Sequence, residues 1–100
     1  PRPAAPSGLF GAYSELVQLG IYKVMMEWTD NSSNETSFII ERSSTSASTG
    51  FTQIGTKSQN IITYTDNSVS RAQQYWYRVC ASNSGVNSPY SNVLEIYTGN

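Results

Sequence analysis

Apolar and polar side chains alternate with a period of two along much of this chain. Tyr22, Val24, Met26 and Trp28 interleave with Lys23, Met25 and Glu27. Phe38 and Ile40 interleave with Ser37, Ile39 and Glu41, and Tyr75, Tyr77, Val79 and Ala81 with Trp76, Arg78 and Cys80. A strand sends successive side chains to opposite faces, so each run predicts one core face and one outer face. On this reading Trp76, Arg78 and Cys80 point outward. The runs are filled by β-branched and aromatic residues, which favours strands over helices.

Turn-forming residues separate the runs. Thr29 to Glu35 reads Thr-Asp-Asn-Ser-Ser-Asn-Glu, side chains that bond their own backbone. A Ser/Thr stretch from Ser43 ends at Gly50, Asp66-Asn67-Ser68 follows Tyr64, and Asn83 to Pro89 links the last two runs. Strands are predicted at 7–13, 20–29, 36–43, 51–56, 60–65, 73–82 and 90–98. Such spacing without helical stretches is the mark of a sandwich or barrel.

Composition narrows the setting. The chain has 100 residues, enough for one domain. Charged residues are only 13%, the net charge is -1 and histidine is absent, while Ser, Thr and Asn make up about a third. That neutral polar balance suits an exported β-rich protein. The six Lys and Arg are scattered, so no patch exists to neutralise a run of phosphates, and nucleic acid is not expected as a partner. No stretch approaches the roughly 18 apolar residues of a membrane-spanning helix. Residues 1–6, Pro-Arg-Pro-Ala-Ala-Pro, read as a stiff linker end and not as a signal peptide. Residues 7–98 form the domain and 99–100 a tail.

Chemistry is sparse. Without histidine the commonest general base and metal ligand are missing, and Cys80 has neither a disulfide partner nor an activating base. No catalytic residue, metal site or cofactor is assigned. Asp30 and Glu35 flank one turn as two carboxylates, and with Asn31 and Asn34 they offer oxygen ligands, but their spacing is not that of a calcium loop. Asx-type turn bonding explains them more simply. Two sequons, Asn31-Ser32-Ser33 and Asn34-Glu35-Thr36, occupy the same stretch.

Several segments, in order, resemble bacterial fibronectin type III domains of secreted carbohydrate-active enzymes and surface proteins. They are Pro6-Ser7-Gly8-Leu9, Met26-Glu27-Trp28-Thr29-Asp30-Asn31-Ser32, Asn34 to Ser43, Phe51 to Thr56, Thr63-Tyr64-Thr65-Asp66, Tyr75 to Asn83, and Tyr90-Ser91-Asn92-Val93. The resemblance covers essentially the whole chain. It implies an all-β, seven-stranded immunoglobulin-like sandwich. It places Trp28 mid-core, with Phe38, Ile40, Tyr64, Tyr77 and Val79 as further structural residues. Tyr75 takes the tyrosine-corner position, its hydroxyl bonded to upstream backbone near Val69.

The resemblance also implies a non-catalytic, extracellular spacer or interaction module. Its partners would be neighbouring domains of the same chain or another protein. The stretch from Tyr13 to Gly20 is longer than the family pattern and apolar at Leu16, Val17 and Leu19. It is either an extended strand pair or helical turn folded onto the core edge, or an exposed contact patch, which would also suit a subunit of an extracellular fibre. Two further candidate surfaces are the loop with Ser84, Gly85, Val86 and Asn87, and an outward Trp76–Tyr97 pair. That pair is expected beside Arg78–Glu95. It would be cross-strand packing or an aromatic platform for a polysaccharide or protein partner.

Overall fold

The computed structural model describes residues 2–99, with the side chain of the candidate contact residue Val17, Pro1 of the linker end and Asn100 of the tail outside what is described. The alternating runs become strands: β1 (Ser7–Leu16), β2 (Ile21–Thr29), β3 (Ser37–Ser43), β4 (Thr52–Ser58), β5 (Thr63–Asp66), β6 (Gln74–Asn83), β7 (Val86–Asn87) and β8 (Leu94–Tyr97). β1, β2 and β5 form one antiparallel sheet with β2 in the middle. The second sheet runs β4-β3-β6, and β7 and β8 both pair with β6. The two sheets stack as a sandwich.

Eight strands stand where seven were expected: β7 lies in the stretch expected to be a loop, Asn83 to Pro89, and the last expected strand, 90–98, is shortened to Leu94–Tyr97. Residues 88–93 leave the ladder, yet serine side chains keep them on β6. The Ser88 N–H donates to the Ala81 carbonyl, and the Ser88 hydroxyl accepts the Ala81 N–H. Ser91 does the same with Val79. Each serine thus supplies both halves of a ladder pair, so the buried β6 backbone stays satisfied without a continuous strand.

The core lies between the sheets. Val24, Met26 and Trp28 of β2 face Phe38 and Ile40 of β3 and Tyr75, Tyr77 and Val79 of β6, and all are buried. Trp28 meets Phe38 edge-on at 5.5 Å between ring centroids. The Trp28 indole Nε1 has no hydrogen-bond partner, a cost that the packing of its ring outweighs.

Polar side chains tie one sheet to the other. Asp66, at the end of β5, is buried; its Oδ2 accepts from Arg42 Nη1 at 2.9 Å and from the Tyr77 hydroxyl at 2.8 Å. Its Oδ1 takes the N–H and hydroxyl of Ser68. Burial works to raise the Asp66 pKa, but these donors hold it below the usual carboxylate range. Half-buried Tyr64 reaches from β5 to the carbonyl of Ile54 at 3.0 Å, where the β3–β4 register slips. Its ring requires Gly55: a Cβ there would lie 2.5–2.7 Å from it. The Tyr75 hydroxyl accepts the N–H of Ser70 at 2.9 Å, one residue on from Val69.

The segment before β1 also packs on the sandwich. Pro3 and Pro6 are buried, and Arg2 Nε donates to the Asn87 carbonyl at 2.8 Å.

Candidate functional site

The long β1–β2 hairpin carries the first candidate surface. β1 and β2 stay paired out to Leu16 and Ile21, and a single 3-10 turn, Val17–Leu19, joins them through Gly20 at φ 66°. Only glycine adopts that left-handed conformation without strain. The hairpin is therefore both an extended strand pair and a helical turn. Tyr13 and Tyr22 still pack against the core, but the tip does not fold back onto its edge: Leu16 is 54% exposed and Leu19 71%. The hairpin's inner side is pinned instead by Arg71, whose Nε donates to Glu15 Oε2 at 3.1 Å.

The same surface continues along the outer face of β1–β2–β5. Phe10, Met25 and Ile21 join Leu16 there, all exposed. Phe10, Ala12, Met25, Thr63 and Thr65 line an open apolar groove of about 430 Å³.

The outer face of β6 is built differently. Arg78 lies opposite Glu41 of β3, and its Nε donates to Glu41 Oε1 at 2.7 Å. The expected Arg78–Glu95 pair does not form, because the β6–β8 register sets Glu95 across from Trp76. The guanidinium is sandwiched between Phe51, at 4.1 Å, and Tyr90, at 3.6 Å. The Tyr90 hydroxyl reaches Glu41 Oε2 at 3.3 Å. Cys80, expected to point into solvent, is buried close to this cluster. Burial pushes its thiol up to about 11, with Glu41 adding to the rise, so the thiolate is scarce at neutral pH.

The register also separates Trp76 from Tyr97. Tyr97 sits across from Gln74, two residues along from Trp76, so the two rings are diagonal neighbours and not an opposed pair. The loop residues Ser84, Gly85, Val86 and Asn87 form an exposed tight hairpin, with φ of 51° at Ser84 and 93° at Gly85.

The two turn carboxylates have structural partners. Glu35 is buried; it accepts from the Ser32 hydroxyl at 2.6 Å and from the Asn60 N–H at 3.1 Å. Asp30 accepts from the Ser32 N–H at 3.0 Å, an Asx-type turn. Burial, with Glu35 nearby, raises Asp30; the donors around Glu35 outweigh its burial and lower it. Asn31 donates to the Ala5 carbonyl and to Ser7, which ties the turn to the start of the chain. Among the described residues no group of three or more Cys, Asp or Glu is placed to hold a metal ion.

No family model matches the sequence, and no curated protein matches it. Solved structures do. An Fn3-like protein from Clostridium thermocellum superposes with a TM-score of 0.77 at 24% identity, over 94% of this chain and 91% of that one. The fold is the fibronectin type III fold. Domains A168–A170 of titin match with a TM-score of 0.75 at 24% identity over 98% of this chain, which spans 32% of that fragment. Pectate lyase Pel3 from Pectobacterium carotovorum matches at 0.69 and 19% identity; the chain covers 26% of it. On this fibronectin type III frame, sequence reasoning missed the Arg78 cluster and Asp66. Tyr90 and Phe51 lie in segments read only for turns and strand starts. Asp66 was read as a turn residue, which it also is.

Proposed function

We propose that this fibronectin type III domain is a non-catalytic extracellular module that spaces neighbouring domains or mediates protein contact, and that contact is made by the outer face of β1–β2–β5 with its hairpin tip. One observation carries the reading. Phe10, Met25, Leu16, Ile21 and Leu19 are all exposed on this one hairpin, whereas scattered single apolar residues are normal on any surface. The neutral polar composition supports the extracellular setting. The paired carboxylates are absorbed in turn bonding, which favours a non-catalytic role.

Met25 and Met26 give an internal test, since one is exposed and the other buried. Hydroxyl-radical footprinting would compare the dilute purified chain with the protein in the material that naturally contains it. Protection of Met25 in the native setting, with Met26 unchanged, supports a contact on this face. Equal oxidation of Met25 in both settings removes it.

A further inference from the structure

The outer face of β1–β2–β5 is organised in rows across the strands. Ala12, Met25 and Thr65 lie in register and form a central row. On one side of it Phe10, Glu27 and Thr63 form the next row; on the other, Ser14 faces Lys23. Lys23 and Glu27 thus stand two residues either side of Met25, with opposite charge. Neither takes part in any of the three ion pairs among the described residues. They are about 13 Å apart along β2, too far to pair with each other.

This arrangement is complementary to itself. Half a turn about the central row brings two such faces together with their β2 strands antiparallel. Lys23 then meets Glu27 of the second copy, and Glu27 meets its Lys23. Phe10, the largest side chain on the face, lands over Ser14, a small one. The Met25 side chains close the centre. We propose that the contact partner of this face is a second copy of the chain, in a symmetric two-fold dimer. The inference rests on the reading that this face is the interaction surface. A different partner would need opposite charges somewhere, but not at equal distances from an apolar centre; an isologous contact needs that symmetry. The low net charge of -1 leaves little repulsion between copies.

Two strands paired over eight residues and a third of four, about 4.8 Å apart, give a footprint of roughly 300 Å² per copy. That is well under half the size of a standard interface, so the dimer belongs to the weak, transient class.

Charge reversal tests the proposal with little risk to folding, because both side chains point away from the core. Sedimentation velocity of the full chain, from about 10 μM to about 1 mM, would show reversible dimerisation in the wild type. Lys23→Glu alone and Glu27→Lys alone place like charges opposite each other and weaken association at least about tenfold. The double variant Lys23→Glu/Glu27→Lys restores it. A chain that stays monomeric throughout overturns the dimer, as do single reversals that match the wild type or a double variant that fails to recover. If the chain is monomeric while Met25 is protected in its native setting, the face still makes a contact, and its occupant is another protein.

Discussion

Met25 and Cys80 occupy similar positions with opposite outcomes. Each lies on an inner strand of its sheet, and each points away from the core. Met25 is 44% exposed, whereas Cys80 is 1% exposed. Alternation sets which face a side chain takes, but the neighbours on that face decide whether water reaches it. Beside Cys80, Arg78 is held flat by Phe51, Tyr90 and Glu41. Beside Met25 stand Ala12 and Thr65, too short to cover it. One sheet closes its outer surface with its own side chains, and the other leaves its surface open.

Removing what the two faces share should produce the largest effect. Trp28→Ala empties the core between the sheets and should cost about 3–5 kcal/mol, read by urea denaturation. Trp28→Phe should cost much less, since it also removes the unpartnered Nε1 donor. No loss in Trp28→Ala would place the core elsewhere.

Acid should loosen the ties between the sheets next. The folded Asp66 pKa is depressed, so its contribution is present above the unfolded value near 3.9 and is lost as pH falls through the folded value. Melting temperature should therefore drop more steeply below about pH 4 in the wild type than in Asp66→Asn, which is less stable at pH 7. Parallel curves would remove Asp66 from the linkage.

The comparison itself is tested by Arg78→Ala. It gives up two ring contacts and one ion pair, about 1–2 kcal/mol. It should also uncover Cys80, so that iodoacetamide labels the native protein several-fold faster. Burial is the first cause of the raised thiol pKa, so uncovering outweighs the loss of the neighbouring cation. Unchanged labelling would mean that something other than Arg78 closes this face. Tyr75→Phe should cost about 1 kcal/mol through the lost bond to Ser70, without a change of shape. The smallest effect belongs to the open face. Phe10→Ser and Met25→Ser in dilute solution should stay within about 0.5 kcal/mol of wild type. A larger loss would make that face part of the stabilising structure.

Core positions were legible in the sequence because a single rule, the period of two, governs them. It placed Val24, Met26, Trp28, Phe38, Ile40, Tyr77 and Val79 inward, and the order of the segments pointed to the fibronectin type III fold. The outer faces were less legible. Arg78 was assigned Glu95 as partner because both lie on adjacent strands, but register across β8 depends on residues 88–93, which are held by side chains and not by a regular ladder. A serine that imitates a strand residue leaves no periodic trace. Burial of Cys80 depends on Phe51 and Tyr90, which are distant in sequence and come together only through the fold. At the 14–20 stretch the sequence showed an apolar excess and a stop at Gly20, but not which way Leu16 and Leu19 would turn.

Asn92 makes a related substitution at the opposite sheet. Its side-chain oxygen accepts the Leu9 N–H at 2.8 Å and its amide donates to the Leu9 carbonyl at 3.0 Å, so one side chain completes both bonds of an edge residue. An unpaired strand edge is a template on which another chain can grow an unwanted sheet. At Leu9 that template is already occupied. The domain thus blocks its edge strand at one point beside the outer face that it leaves open.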